Sequence, residues 1–474
     1  TLEASTGIYV NPGTPELLAI GEYLAAHLRP ATGFPLPVQA AGGEPGKGHI
    51  YLAAQDAAET LGTEGYALSI TPDSVKVSAP QPAGLFYGVQ SIRQLLPPAI
   101  ESTTVQPGPW QIQAGEVRDD PRYAWRGMML DVARHFFKPD DVKQVIDWLA
   151  TYKMNRLHLH LSDDQGWRIM INAWPNLAKV GGSTAVDQDL GGYYTQAEYA
   201  NLVAYAQERY ITILPEIDMP GHTNAALASY PELNCNDIAP ALYTGIEVGF
   251  SSLCIDKDIT IKFVEDVIGE LAAITPGDYI HIGGDETSAT LEADYRKFIQ
   301  QALGIVQAHG KQAIGWGDIS RARLPEGTLV QYWNSDVSQG VQQGARVVMS
   351  PASRAYLDMK YNASTSLGLD WAGYIDVQTA YDWDPANQAE GVAEKDILGV
   401  EATLWSETLR SLDDIEFMLF PRLPGIAEIG WSPQELRDWD AYRQRLAQLG
   451  LRLALEGINF YRSEAVPWPA EALP

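Results

Sequence analysis

Basic residues and long apolar runs are scarce in this sequence. Its 474 residues contain 33 Lys and Arg against 60 Asp and Glu, which gives a formal net charge of −27 at pH 7. A surface this acidic repels phosphate backbones and anionic lipids, so we expect neither nucleic acid nor a membrane as a partner. No stretch approaches the roughly 18 consecutive apolar residues that a transmembrane helix needs. The hydrophobic fraction of 46% is instead typical of a folded globular protein.

Cysteine is equally rare, since the chain has only Cys235 and Cys254. Both lie in the loop-like segment 231–254, whose ends need a constraint. The first ten residues show no basic segment followed by an apolar one, so we expect no signal peptide in this sequence. A mature secreted chain begins in the same way, and we expect secretion. In an exported protein a Cys235–Cys254 disulfide is the natural prediction, with two buried free thiols as the alternative.

The pattern of residues 1–123 predicts a small α+β domain. Thr14 marks the start of an amphipathic helix. Strand-like runs follow at 49–54, 66–70 and 75–79, and the last two flank a Thr-Pro-Asp-Ser turn that predicts a hairpin. No residue in this domain has a catalytic pattern, so we interpret it as scaffold.

From residue 124 to residue 474 the pattern changes to apolar runs of strand length that alternate with helical segments. The eight runs are 126–134, 156–164, 212–220, 279–286, 312–318, 329–334, 346–352 and 398–407. Eight such strands with intervening helices predict a (β/α)₈ TIM barrel. The helices that follow the sixth and seventh strands are poorly marked in the sequence. The predicted fold class is therefore α/β, with a barrel preceded by the small α+β domain.

Active sites of such barrels lie at the carboxyl ends of the strands. The side chains there are Asp131, Arg134, Asp163, Asp164, Asp218, His222, Asp285, Glu286, Trp316, Asp318, Trp333, Trp405 and Glu407. Indole faces suit the C–H faces of a sugar ring, while carboxylates and arginine hydrogen-bond its hydroxyls. Cleavage of a glycosidic bond also needs a carboxylic acid that protonates the leaving oxygen. The strand ends therefore predict a glycosidase pocket.

The adjacent pair Asp285 and Glu286 stands out among these residues. Neighbouring residues on a regular strand point to opposite faces, so both can enter one pocket only where the strand ends. Gly283 and Gly284 precede the pair, at a point where the backbone can bend. Two neighbouring carboxylates repel each other, which favours keeping one protonated, as a general acid requires.

His158 and His160 support a competing hypothesis. Two residues apart on a strand, they point to the same side, as a pair of metal ligands would. A metal-dependent barrel hydrolase would need further histidines at later strand ends, where this chain has tryptophan and glutamate instead. Because both histidines precede their strand end, we interpret them as packed residues of the barrel interior. No metal and no other cofactor is expected.

The order of the barrel motifs resembles that of the family 20 glycoside hydrolases, the β-N-acetylhexosaminidases. The motifs are LDVARHFF, LHLHLSDDQGWR, PEIDMPGH, HIGGDE, GWGD, QYWN, AYLDMKY and LWSE, between residues 126 and 407. The α+β domain also resembles the one that precedes the barrel in bacterial members. The resemblance implies exo-acting, retaining hydrolysis of amino-sugar oligosaccharides, in which the substrate's own 2-acetamido oxygen attacks the anomeric carbon and forms an oxazolinium ion.

The resemblance also implies a role for each matching residue. Glu286 is the general acid/base, and Asp285 orients the acetamido N–H and balances the developing positive charge. Asp163 and His222 form a relay behind Glu286, and Tyr356 donates to the acetamido oxygen. Among the remaining residues, Trp316, Trp333 and Trp405 wall the acetamido pocket, Arg134 and Glu407 hold the 3- and 4-hydroxyls, Asp358 holds the 6-hydroxyl and Trp371 stacks near the aglycone.

Two alternatives to this enzyme stay open on the sequence. One is the metal-dependent hydrolase that uses His158 and His160. The other is a non-catalytic chitin-binding relative that keeps the pocket, although the intact Asp285 and Glu286 oppose it. We expect a secreted, monomeric enzyme of chitin degradation.

Overall fold

The computed structural model describes residues 1–13, 15–55 and 57–472, so that Thr14 lies outside the described residues. The chain forms two compact units. The first consists of Thr1–Arg122, Thr151–Lys153 and Trp431–Pro474, and the second of Tyr123–Ala150 and Met154–Gly430. No helix in the described part of the chain is both long and apolar enough to cross a membrane.

The first unit contains a six-stranded mixed sheet in the order β2-β1-β3-β5-β4-β6. Its strands are β1 (Ile8–Val10), β2 (Val38–Ala40), β3 (His49–Ala54), β4 (Tyr66–Ile70), β5 (Ser74–Ala79) and β6 (Gly115–Asp119). Its N-terminal part contains the helices α1 (Pro15–Thr32) and α2 (Pro82–Leu95), and the C-terminal segment of the chain also belongs to this unit. The predicted hairpin is confirmed, since β4 and β5 pair antiparallel with Leu68 opposite Val77.

The C-terminal segment corrects the predicted domain boundary. The sequence assigned all of 124–474 to the barrel, whereas the segment from Trp431 onward belongs to the first unit. There the Arg452 guanidinium donates to Glu101 at 2.8 Å, and both side chains are about nine-tenths buried. Because this buried ion pair joins residues far apart in sequence, local patterns could not reveal it.

The second unit is a closed barrel of eight parallel strands in chain order. The strands are β7 (Trp125–Asp131), β8 (Arg156–His160), β9 (Thr212–Glu216), β10 (Tyr279–His281), β11 (Gln312–Trp316), β12 (Leu329–Tyr332), β13 (Arg346–Met349) and β14 (Ile397–Leu404). Each lies within or beside one of the eight predicted runs, so the TIM-barrel prediction is confirmed. The runs extend past the strands because their last residues bend into the loops that carry the site.

Helices surround the barrel, and they differ greatly in length. They are α3 (Pro139–Thr151), α4 (Gln196–Gln207), α5 (Asn224–Ser229), α6 (Asp258–Ile274), α7 (Glu292–Ala308), α8 (Ser338–Gln342), α9 (Ala352–Ala355), α10 (Val377–Tyr381), α11 (Leu412–Leu419) and α12 (Leu423–Trp431), followed by α13 (Trp439–Leu455) in the first unit. The first helix after the sixth strand, α8, has only five residues, and the first helix after the seventh strand, α9, has only four. This short length explains their weak signal in the sequence.

Cys235 and Cys254 form a disulfide, as predicted, and the alternative of two free thiols is wrong. The bridge closes an irregular loop between α5 and α6. That loop lies beside the carboxyl ends of the strands, where the Gln165 amide donates to the Gly245 carbonyl at 2.8 Å. The disulfide therefore constrains the ends of a segment that borders the predicted site.

Candidate active site

The backbone after β10 brings the two central carboxylates together. Gly283 and Gly284 have φ angles of 68° and 100°, and Glu286 itself has a φ angle of 47°. A Cβ on Gly283 would collide with the Asp218 carboxylate, which instead accepts the Gly284 N–H at 3.0 Å. The left-handed turn that glycine permits therefore points both Asp285 and Glu286 toward the same pocket, as the sequence predicted.

One histidine contacts both of these carboxylates. The His222 Nε2 atom lies 3.3 Å from a Glu286 oxygen and 3.7 Å from an Asp285 oxygen. The Asp285 side chain is 11% exposed, whereas the Glu286 side chain is 35% exposed. Burial raises the pKa of Asp285 to about 7; His222 opposes this shift, while Glu286 and other nearby carboxylates add to it. The two carboxylates thus share a histidine but differ in their access to water.

Behind His222 lies the predicted partner, Asp163. The two side chains are 3.0 Å apart, between His222 Nδ1 and an Asp163 oxygen. Although burial alone would raise the pKa of Asp163, Arg134 and His222 hold it well below its ordinary value. Burial likewise opposes the charge on His222, yet Asp163 raises the pKa of His222 well above its ordinary value. The structure therefore aligns a carboxylate, an imidazolium and Glu286.

Aromatic rings form a continuous wall beside the carboxylates. The rings of Trp316 and Trp405 are 5.7 Å apart between centroids, and Tyr356 lies 6.1 Å from Trp405. Trp371 lies 5.8 Å from Tyr356 and 6.2 Å from Trp333. Trp316 is 1% exposed while Trp371 is 53% exposed, so the wall runs from the barrel interior to the rim. All five predicted aromatic residues are brought together.

A polar edge borders this wall. The Arg134 guanidinium lies 5.0 Å from the Trp405 ring centre and donates to Asp131 at 3.2 Å. Asp358 is 2% exposed, and neither of its carboxylate oxygens has a hydrogen-bond partner among the described residues. Burial raises the pKa of Asp358 well above its ordinary value and also raises that of Glu407, which Arg134 opposes. Buried carboxylate oxygens without partners suit a ligand that carries hydroxyl groups.

Two residues of the strand-end list support the site from behind. Asp218 holds the Gly284 N–H, as described above. Asp164 accepts from the Ser251 hydroxyl at 2.5 Å and from the Asn224 N–H at 2.9 Å. Both carboxylates are 1% exposed and make these contacts within the protein. The strand-end rule therefore located them correctly but did not separate pocket residues from supporting ones.

The predicted core position of His158 and His160 is confirmed, since both are 0% exposed. His158 contacts Glu401 and Glu216, each at 2.8 Å, and His160 contacts Glu216 at 2.6 Å and Asp163 at 2.7 Å. All four ring nitrogens are therefore engaged by carboxylates. Among the residues that the structure describes, four groups have ligand atoms close enough for an ion: His158, Glu216 and His281; His160, Glu216 and Asp218; Asp163, Asp218 and His222; His222, Asp285 and Glu286. An ion at either of the first two would displace hydrogen bonds to buried carboxylates.

Glu216 and Glu401 belong to the barrel interior although the sequence analysis did not single them out, because both lie within apolar runs. Each is 0% exposed, and Glu216 also accepts from the Trp316 indole N–H at 2.8 Å. Glu401 accepts from the Trp125 indole N–H at 2.8 Å. A charged residue inside a strand that is otherwise apolar on both faces is the signal that could have marked them, since such residues need partners.

Comparison with known proteins assigns the chain to one family. The family model for "Glycosyl hydrolase family 20, catalytic domain" matches residues 123–434, and the model for "Glycosyl hydrolase family 20, domain 2" matches residues 1–120. A β-N-acetylhexosaminidase of Cellulomonas fimi is 43% identical over 99% of this chain and 94% of its own length.

Solved structures agree with this assignment. The family 20 β-N-acetylhexosaminidase of Streptomyces coelicolor A3(2) is 50% identical, with a TM-score of 0.95 over 99% of this chain and 95% of its own. The β-hexosaminidase of Streptomyces plicatus is 53% identical, with the same TM-score over 99% of this chain and 94% of its own. A mutant of the latter was solved in complex with its product, GlcNAc.

Proposed function

The chain belongs to glycosyl hydrolase family 20 and is a β-N-acetylhexosaminidase, and from this premise we propose an exo-acting, retaining enzyme with substrate-assisted catalysis. It releases terminal GlcNAc or GalNAc from the non-reducing ends of chito-oligosaccharides and glycoconjugates. The nucleophile is the acetamido oxygen of the substrate. The family assignment opposes the two alternatives, a metal-dependent hydrolase and a non-catalytic binding protein.

The observation that carries the proposed mechanism is the position of both carboxylates on one side of the pocket. Asp285 and Glu286 leave the same strand end, and one His222 nitrogen contacts both. A retaining enzyme with a protein nucleophile instead places its two carboxyl groups on opposite sides of the scissile bond, about 5–5.5 Å apart. A nucleophile that belongs to the substrate fits the observed arrangement better.

In the first step Glu286 gives its proton to the glycosidic oxygen, and the bond between that oxygen and the anomeric carbon breaks. The acetamido carbonyl oxygen forms a new bond to the anomeric carbon, which yields the oxazolinium ion. Asp285 accepts a hydrogen bond from the acetamido N–H and balances the positive charge. In the second step the Glu286 carboxylate takes a proton from water and the water oxygen bonds to the anomeric carbon, while the bond between that carbon and the acetamido oxygen breaks and the acetamide reforms. The partial exposure of Glu286 gives that water a route.

The aromatic wall supplies the positioning that such an internal attack needs. Trp316, Trp333 and Trp405 surround the acetamido methyl, and the Tyr356 hydroxyl donates to the acetamido oxygen. Well-oriented intramolecular groups reach effective molarities of about 10⁵–10⁸ M, so this confinement alone accounts for a large part of the rate enhancement. At the polar edge, Arg134 and Glu407 bind the 3- and 4-hydroxyls, Asp358 binds the 6-hydroxyl, and the exposed Trp371 stacks on the aglycone.

The test uses two chemical probes of the nucleophile. A stable thiazoline that mimics the cyclised intermediate is expected to inhibit far more strongly than GlcNAc, because it resembles a state that the site stabilises. Substrates with a 2-hydroxyl in place of the acetamide are expected to be cleaved at negligible rates. Covalent labelling of an enzyme carboxylate by a 2-deoxy-2-fluoro sugar, detected by mass spectrometry, would refute the mechanism.

We also propose that the protein acts outside the cytoplasm, as a monomer, in chitin degradation. The Cys235–Cys254 disulfide supports export, because such bonds persist in oxidising compartments. Fractionation of the native host with an antibody tests the location, and light scattering coupled to gel filtration tests the monomer. Recovery in the cytoplasm, or a mass well above 52 kDa, would contradict the respective proposal.

A further inference from the structure

A line of acidic and basic side chains runs from the barrel interior to Glu286. We call it the core relay, and its members in spatial order are Glu401, His158, Glu216, His160, Asp163 and His222. Successive members are 2.6–3.0 Å apart, and the line ends 3.3 Å from the Glu286 carboxylate. All six are between 0% and 2% exposed. Acids and histidines alternate along the whole line, so each proton lies between a histidine nitrogen and a carboxylate oxygen.

Glu216, the last residue of β9, occupies the middle of the core relay. One of its carboxylate oxygens accepts from His158 Nε2 at 2.8 Å and from His160 Nδ1 at 2.6 Å. The other accepts from the Trp316 indole at 2.8 Å and lies 3.2 Å from His281 Nδ1. The same carboxylate therefore contacts both the relay and the aromatic wall.

We propose that Glu216 is a positioning residue for the reaction, because its carboxylate fixes both the Trp316 indole of the acetamido pocket and the His160 ring that turns Asp163 toward His222. Glu216 does not touch the reacting atoms. It acts through His160, Asp163 and His222 on the acid/base Glu286. The proposal rests on the proposed function, which names Glu286 as the acid and Trp316 as part of the pocket.

The charges along the relay agree with this role. The two ring nitrogens of His160 face Glu216 and Asp163, and both carboxylates have pKa values well below the ordinary value because the histidines and Arg134 outweigh burial. Both nitrogens therefore carry protons, and the pKa of His160 is raised well above its ordinary value against the effect of burial. His158, on the other side of Glu216, has its pKa raised to about 9 in the same way.

Other titratable groups also lie near Glu216. His281 on β10 faces it, and burial lowers the pKa of His281, so this ring is neutral. Asp218, two residues further along the chain, and Asp285 feel the negative charge of Glu216, which adds to the increase of their pKa values. Near Glu286 the charged neighbours are His222 and Asp285. Loss of the charge on Glu216 therefore leaves the pocket with a more positive potential.

The decisive variant is Glu216→Gln, which keeps the shape and removes the charge. In one orientation its amide nitrogen faces the donors His158 and His160, and in the other it faces the Trp316 indole N–H, so at least one of these hydrogen bonds is lost unless a histidine gives up its proton. We expect kcat to fall at least about tenfold, since a misplacement of about 1 Å at a catalytic group costs on the order of 100-fold. We also expect the alkaline limb of the kcat/KM profile, which reports loss of the proton of the acid, to move to lower pH.

Glu401→Gln is the matched control. Glu401 is a buried glutamate of the same barrel interior and also binds His158, but it contacts neither His160 nor Trp316. Both variants are expected to lower the Tm, because each leaves a buried histidine without one carboxylate. Only Glu216→Gln is expected to move the alkaline limb. Equal shifts in the two variants, or an unchanged profile in a folded Glu216→Gln protein, would overturn the proposal.

Two measurements keep the proposal testable if Glu216→Gln does not fold. The His160→Gln variant breaks the link to Asp163 while Glu216 keeps His158 and Trp316, and it is expected to move the same limb. NMR of the ¹⁵N-labelled histidines in the wild-type protein, without substrate, is expected to find both His160 nitrogens protonated at pH 8. A neutral His160 there would refute the relay, whereas failure of the wild type to hydrolyse chito-oligosaccharides would refute the proposed function alone.

Discussion

Replacement of Asp285 by asparagine is expected to stabilise the protein at neutral pH while it impairs catalysis. Asp285 is 8% exposed, and its Oδ1 atom has no hydrogen-bond partner among the described residues. Burial raises the pKa of this carboxyl from 3.8 to about 7. The buried negative charge that the reaction needs therefore lowers the stability of the folded protein. A neutral amide of the same shape removes that charge.

The magnitude follows from the pKa difference between the folded and unfolded chains. A shift of about three units corresponds to about 4 kcal/mol, at 1.36 kcal/mol per unit. Between about pH 4 and pH 7 the folded protein holds a proton at Asp285 that the unfolded chain has lost, so stability falls as the pH rises through this window. Above pH 7 the full difference applies, and below pH 4 it vanishes. For a chain of this length about 4 kcal/mol corresponds to a Tm difference of roughly 4 °C.

The assay compares the Tm of wild type and Asp285→Asn at pH 4.5 and at pH 8. We expect the variant to gain several degrees over the wild type at pH 8 and little at pH 4.5, together with a large loss of kcat. Asp140→Asn is the control, since the Asp140 side chain is 98% exposed, and its effect is expected to be independent of pH. A Tm difference for Asp285→Asn that is the same at both pH values would refute the reasoning.

Three further predictions concern chemistry and stability. Glu286→Gln is expected to reduce hydrolysis of chito-oligosaccharides by about 10²–10⁴-fold and to affect aryl glycosides with good leaving groups less; equal losses would contradict its role as the acid. The Cys235→Ser, Cys254→Ser double variant is expected to lose about 3 kcal/mol in denaturant unfolding, and two alkylatable thiols in the unreduced wild type would disprove the bridge. Chelation is expected to leave activity unchanged, whereas a loss that zinc restores would revive the hypothesis of a metal site at His158 and His160.

The barrel could be predicted from the sequence because its strands are buried on both faces and therefore form continuous apolar runs. Helices shorter than two turns do not show a 3.6-residue period, so α8 and α9 left no clear signal. Local sequence patterns also could not show to which unit α13 belongs. Its Arg452 contacts Glu101, which is far away in the sequence, and such a pairing becomes visible only in the folded structure.

The site was only partly accessible to the same reasoning. The strand-end rule located Asp285, Glu286 and Trp316 from position alone. Tyr356 and Trp371 follow β13 by several residues, within irregular segments, and only the family resemblance indicated them. The structure brings these five residues into one pocket because Tyr356 lies beside the end of β14 and its ring packs on the exposed Trp371.

Glu216 illustrates why buried charges are hard to interpret before the fold is known. The position of a single glutamate within an apolar run does not indicate its function, because the free energy of burying its charge depends on which donors surround it. The donors come from two different strands: His158 and His160 from β8 and Trp316 from β11. Only closure of the barrel places them around one carboxylate. Closure of the barrel also connects Glu216 to Glu286 through His160, Asp163 and His222. We therefore expect a change in the packing of the barrel interior to alter the protonation of the site, and a change in that protonation to alter the packing.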